Sequence, residues 1–430
     1  MQVDLPYGRG FLKVSVPDYC RVLEMKPVPG FDNPRAEVAK GLQSPVAGES
    51  LAAVISRKKP KNACVVISDH TRPVPNAVIL PPLLAEIERS GISPADILIL
   101  IANGTHRKTT PEEKKELVGP EILAGYRVLD HDARDNSRLV SLDVDGRPAT
   151  VNRAYFEAEL KVLTGLIEPH FMAGFSGGRK AVCPGLSGVE TMKYFHSPAM
   201  LESPCARTGN LEQNPLHDFA LKFTRSAGAD FVVNVTLNRA KKITGVFCGE
   251  LDAAHLAGVR HCAAETGVFL ESPADIVITT TGGYPLDRDF YQTVKGLTAA
   301  CGIVRKGGLI ICASECSDGI GNADFQRLLE GFRDADSFLD MIGRPGYFHM
   351  DQWEVEILVR VLRQARVKLY STSLTPDQIR TCRVEPAAGV EEALGEEIER
   401  LGRTPSVAVI PDGPYVIAGL APNQSRQTGS

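Results

Sequence analysis

The chain reads as an α/β protein of two units, each built on a mainly parallel sheet, with its active site expected in the cleft between them. Three observations lead there. Short β-branched runs each break into a polar loop and then into a helical period, as in 63–67 (ACVVI) before 76–89 and 96–102 (DILILIA) before a helix opening at Pro111. The same alternation restarts near residue 270 with 275–280 (DIVITT) and 308–313 (GLIICA). A chain of 430 residues also exceeds what one hydrophobic core usually supports.

Taken in order, residues 1–60 are rich in Pro and Gly and yield only a short strand at 11–16. The run 63–67 breaks into SDHTRPVP, and 96–102 breaks into NGTHRKTT. Thr110, Pro111 and Glu113 then supply an N-cap, a first-turn proline and a capping-box acid. A third strand at 162–167 leads into a polar loop, and 231–237 adds a further strand to the same sheet. In the second half, 367–370 and 407–410 are weaker strands, and 353–364 and 390–401 carry helical periodicity. The expected units are 1–270, cofactor-binding and catalytic, and 271–430, contributing substrate-binding residues, with a boundary near 271–273. The last ten residues read as a loose tail.

Composition removes several function classes. Hydrophobic residues make up 43% and charged residues 23%, as in an ordinary globular protein, and the net charge of -4 gives no footprint for nucleic acid. No apolar run approaches the roughly 18 residues of a membrane span, and MQVDLPYGRG lacks the regions of a signal peptide. The 10 cysteines show no close zinc-ribbon pairing. They suit a reducing, cytoplasmic setting as buried hydrophobes, with Cys183 singled out because it adjoins the third loop.

The chemistry concentrates in loops that follow strands. Asp69, His70, Thr71 and Arg72 follow the first, Asn103, Thr105 and His106 the second, and Glu168, His170 and Lys180 the third. Imidazoles so placed suit proton transfer near neutral pH, which makes His106 and His170 the candidate acid and base and leaves His70 structural. Ser176, Gly177, Gly178, Arg179 and Lys180 form a glycine turn with two cations, the composition of a phosphate cradle. It is not a Walker loop: counted from Gly174, Arg179 stands where a glycine is required and Ala181 where a Ser or Thr is required. Arg72 is either a fork for a substrate carboxylate or part of a salt bridge. Tyr291, Gln292 and Lys295 share a helical turn in the second unit and are candidate substrate groups, with Asp69, against the alternative of a solvated helix face.

The motifs SDHTRP, NGTHR, EPHFMAGFSGGRK, FHSP and YQTVK, in this order, resemble the nickel-dependent lactate racemase family. The resemblance implies a nickel-pincer nucleotide made from nicotinic acid mononucleotide, delivered by cofactor-synthesis enzymes, with Lys180 as its covalent thioamide anchor and His196 as a nickel ligand. It implies acid and base roles for His106 and His170, and carboxylate binding by Arg72, Gln292 and Lys295. The implied reaction is racemisation or epimerisation of a short 2-hydroxy acid by proton and hydride transfer. Two other classes compete. A nicotinamide dehydrogenase would want GxGxxG after the first strand, where this chain has SDHTRPVP; a non-enzymatic cofactor carrier would have no use for two histidines and a carboxylate clamp.

Overall fold

In the computed structural model, which describes residues 1–421, the chain forms two compact units. One is Pro27–Glu265; the other joins Met1–Lys26 to the described residues from Thr266 onward. The expected tail lies outside the described residues from position 422 onward. Among the described residues no helix is long and apolar enough to cross a membrane.

The unit Pro27–Glu265 holds a six-stranded sheet in the order Ile243–Gly249, Phe231–Leu237, Leu160–Leu166, Ala63–Ser68, Ile97–Ala102, Arg127–Asp130. Neighbours run parallel except the edge strand Ile243–Gly249, which is antiparallel to Phe231–Leu237. Central strands are covered on both faces, which is why they read as unbroken apolar runs rather than alternating ones. Ser68 pairs with Ala102, and Val66 with Leu163, so the three neighbouring central strands end nearly level. The loops that follow them therefore leave from one edge of the sheet.

Local signals fix the flanking helices. Asn76–Arg89 turns Ile79, Leu80, Leu83, Leu84 and Ile87 into the core, a stripe at helical spacing. The helix Pro111–Val118 opens on the expected capping box, with Thr110 and Glu113 satisfying each other's backbone N–H, worth about 1 kcal/mol.

The second unit has an all-parallel sheet in the order Glu385–Pro386, Arg366–Tyr370, Val304–Ala313, Ala274–Thr280, Val407–Ile410, Arg21–Val22. Helix Phe290–Cys301 packs against helix Gln352–Gln364. The expected division at 1–270 differs from this at both ends. Gln2–Tyr7 and Gly10–Ser15 form an antiparallel hairpin whose Val3, Leu5 and Val14 enter the second unit's core. Gly267–Leu270 pairs with Ile417–Leu420 and so also belongs there. The hairpin was half legible, since Val3 and Leu5 alternate with polar residues, but Pro6 and Gly8 mask the period.

Candidate active site

The loop after Ser68 is folded by its own side chains. Thr71 donates to Asp69 Oδ1 twice, from its backbone N at 3.2 Å and its hydroxyl at 2.6 Å. Asp69 Oδ2 meets His106 Nδ1 at 2.6 Å. Burial pushes the Asp69 carboxyl up, but the hydrogen bond and charge of His106 outweigh it and hold the group below the usual aspartate value. A carboxylate at Nδ1 can only accept, so the neutral ring of His106 carries its proton there and its lone pair on Nε2. Asp69, expected to bind substrate, here spends both oxygens on Thr71 and His106.

The NGTHR loop that carries His106 is pinned from within. Asn103 Nδ2 reaches Arg107 O at 3.3 Å, Thr109 Oγ1 at 3.2 Å and Asp130 Oδ1 at 3.3 Å. Asp130 is itself paired with Lys114 Nζ at 2.6 Å. The imidazole side chain of His106 stays 52% exposed.

The third loop is closed by Ser176, whose hydroxyl donates to Leu166 O at 2.7 Å and accepts from Glu168 N at 2.9 Å. Gly177 has φ +75°, and a Cβ there would lie 2.7 Å from Ile167 Cγ1, so only glycine fits. Gly178 N donates to Asn234 Oδ1 at 2.8 Å. Glu168 holds Arg72, Oε1 to Nη1 at 2.9 Å, so the guanidinium expected at a substrate carboxylate meets an internal one in this conformation. His170 Nδ1 accepts from Met172 N and Ala173 N, each at 3.2 Å, and Nε2 lies 3.0 Å from Lys180 Nζ. Donors therefore face both nitrogens of this ring, two backbone N–H groups at Nδ1 and the Lys180 amine at Nε2. The two candidate histidines are thus held in opposite surroundings, His106 by a carboxylate acceptor at Nδ1 and His170 by donors.

The short turn Gly178–Ala181 sends the adjacent cations to different surroundings. Arg179 is 1% exposed, with Nη1 at 2.8 Å from His255 Nε2 and Nη2 donating to Ala173 O at 2.8 Å. Burial lowers this guanidinium to about 9. Arg179, with Ser176, therefore braces the loop from inside, which differs from the expected phosphate contact. Lys180 instead faces His170, 5.8 Å from the Phe195 ring centroid.

His196 ends the helix Val189–Phe195 and is buried. Its Nδ1 lies 3.2 Å from Met192 O, so the ring donates there and holds its lone pair on Nε2. Burial first, then the Lys180 charge, bring this imidazole down to about 3, which keeps it neutral at working pH. A neutral imidazole of fixed tautomer is the form that ligates a metal. Among the described residues no three His, Cys, Asp or Glu side chains gather as a metal cage. Cys183 is buried and its thiol pushed up by burial, which makes it a packing residue.

In the second unit Asp289 caps helix Phe290–Cys301, its Oδ1 accepting from Gln292 N at 2.8 Å. The Lys295 ammonium donates to Gln292 Oε1. Tyr291, one turn earlier on the same face, donates to Asp351 Oδ1 and accepts from Trp353 Nε1, both at 3.3 Å. Sequence reasoning placed Glu168 among the third loop's polar groups but without a partner, and gave no role to His255 or Asn234, which nothing in their local sequence marks.

Parallel strands that deliver two imidazoles, one on a buried carboxylate and one among donors, with a neutral third beside a lysine, describe an acid–base enzyme. Residues 7–209 match the lactate racemase N-terminal domain and residues 270–418 the lactate racemase C-terminal domain. The lactate racemase of Thermoanaerobacterium thermosaccharolyticum is 36% identical over 423 residues, spanning 96% of this chain and 98% of its own. That of Lactiplantibacillus plantarum is 37% identical over 424 residues, spanning 96% and 99%. The apoprotein structure of the Thermoanaerobacterium enzyme superposes with a TM-score of 0.92 at 35% identity, covering 97% of this chain and all (100%) of that one. A Thermotoga maritima protein shares the fold alone, with a TM-score of 0.68 at 17% identity over 91% of this chain. The chain belongs to the lactate racemase family, and it is a racemase, an isomerase acting on a small molecule.

Proposed function

We propose that this protein interconverts the enantiomers of lactate, or of a similarly short 2-hydroxy acid, using a nickel-pincer nucleotide. The observation that carries the reading is the pair of histidines in opposite surroundings, one on the Asp69 carboxylate and one against Lys180. Inversion at C2 through a planar keto acid needs a proton acceptor and a proton donor for the hydroxyl, and two imidazoles supply both. His106, its Nδ1 proton held by Asp69, is set to take the hydroxyl proton at Nε2, and His170 is the second imidazole, which gives one back from its protonated form.

The residues fit the cofactor. His196 offers a neutral nitrogen of fixed tautomer, and a metal held by one protein nitrogen needs its other donors from an organic ligand. Lys180, in the same loop system, is the amine for covalent attachment. When bound, the nickel-pincer nucleotide supplies the hydride-accepting carbon. The chain's own work is to hold the substrate's carboxylate, for which Arg72, Gln292 and Lys295 are the proposed groups, and to move the hydroxyl proton. The cofactor would reach the chain through its synthesis enzymes, and a cytoplasmic setting suits a protein whose 10 cysteines form no disulfide.

The test is protein produced alongside the cofactor-synthesis enzymes, assayed for nickel and for loss of optical rotation of one lactate enantiomer. Nickel binding with decay of rotation to zero is expected. Nickel-loaded protein that leaves lactate and other short 2-hydroxy acids optically unchanged would overturn the reading.

A further inference from the structure

The first turn of helix Gln352–Gln364 holds a carboxylate that the reaction does not use. Glu354 is 2% exposed, and its Oε1 is buried with no hydrogen-bond partner. A buried carboxylate oxygen without a donor is costly when ionised and cheap when protonated. The neighbouring helix Phe290–Cys301 supplies a cation that acts on it, Lys295, from the face that also carries Tyr291. The two helices are tied together there, Tyr291 accepting from Trp353, the residue before Glu354.

We propose that Glu354, kept as a neutral acid, leaves the Lys295 ammonium to an anionic ligand, and that on ionising it takes that ammonium for itself. The inference rests on the reading of Lys295 as a group for the substrate carboxylate. Glu354 has the Lys295 ammonium and the Asp351 and Asp289 carboxyl groups as charged neighbours, and Asp289 also acts with Lys295, so an ionised Glu354 would leave that ammonium little attraction for a further anion. Asp351 is committed to Asn322 and Tyr291, and Asp289 to the helix cap, so Glu354 is the member with an unengaged oxygen.

The charged surroundings support this order of events. Burial, opposed by Lys295 and reinforced by Asp351 and Asp289, raises Glu354 to about 8. Tyr291 also faces it, with its hydroxyl raised by burial and so neutral. On its own helix stand Glu356 and Arg360. From the other packed helices, Asp324 is paired with Arg327, and Asp336 lies toward Arg363 at the far end. Of the cations, Lys295 is the one whose charge lowers the Glu354 ionisation.

The test compares the pH dependence of KM for L-lactate in cofactor-loaded wild type and Glu354→Gln. The glutamine mimics the protonated acid. The two should agree at pH ~6.5, and the wild-type KM should climb about tenfold relative to the variant one unit above the Glu354 ionisation. Histidine titrations are common to both proteins and cancel in the ratio. Parallel profiles overturn the proposal. Lys295→Ala separates the underlying reading: if it leaves KM unchanged, Lys295 is not a substrate group, and the coupling is judged by infrared titration of the protonated carboxyl band that Glu354→Gln abolishes. A band that persists to higher pH in Lys295→Ala than in wild type upholds the coupling, and an unmoved titration overturns it.

Discussion

Replacing Asp69 by Asn removes one negative charge while keeping the side chain's size. Its Oδ2 sits 2.6 Å from His106 Nδ1, and an amide there lets the ring proton settle on either nitrogen. A hydrogen bond to a charged group is worth about 1.5–3 kcal/mol. Asp69 is almost wholly buried, but the His106 side chain is 52% exposed, so solvent weakens the pair toward the lower end of that range. About 1.5–2 kcal/mol corresponds to roughly a 10- to 30-fold fall in kcat/KM. The assay is initial racemisation rate from each lactate enantiomer, with nickel content measured in parallel. The loss should fall on kcat, with nickel loading unchanged. Activity within about twofold of wild type would refute the tautomer argument, and a loss confined to KM would make Asp69 a substrate ligand instead.

Further outcomes follow from other residues. Lys180→Ala should lack the added mass that intact-mass analysis finds on wild type from a cofactor-producing host; an unmodified wild type refutes the covalent anchor. His196→Ala should keep that organic mass and lose nickel, and equal nickel in variant and wild type contradicts its role as ligand. Arg179→Met should lower unfolding stability by about 2–4 kcal/mol in denaturant titration, since it strands Ala173 O and His255; unchanged stability with lost cofactor binding would return Arg179 to the phosphate. Glu354 keeps in the folded state a proton that the unfolded chain releases, because its folded value lies above its unfolded one. Its contribution is thus full below the unfolded value and is lost as pH rises toward about 8, so wild type should lose stability over that window relative to Glu354→Gln; equal slopes contradict it.

The central strands of both sheets were legible because burial on two faces leaves unbroken apolar runs, and Phe231–Leu237 and Val390–Leu401 begin and end where their patterns do; the edge strands Ile243–Gly249, Arg127–Asp130, Glu385–Pro386 and Arg21–Val22 were not. Thr110, Pro111 and Glu113 fixed a helix start from three residue types alone. The loops were legible in content but not in direction. Arg179 and Lys180 are adjacent in sequence, and only the turn Gly178–Ala181 decides that one braces the interior and the other faces His170. Partners far along the chain were invisible for the same reason. His255 against Arg179 and Glu354 near Lys295 depend on packing that no local pattern encodes. The opposite surroundings of His106 and His170 likewise depend on which groups meet each ring nitrogen.

The two-histidine account is tested most directly by a single turnover of cofactor-loaded His106→Ala and His170→Ala with each enantiomer of lactate, quenched in acid and analysed for keto acid. Each half of the reaction needs one of the two imidazoles. His106→Ala should form keto acid from one enantiomer and His170→Ala from the other, while net racemisation in both falls by about a hundredfold to ten-thousandfold. If both variants lose keto acid formation from the same enantiomer and keep it from the other, one histidine is the sole base and the account is contradicted.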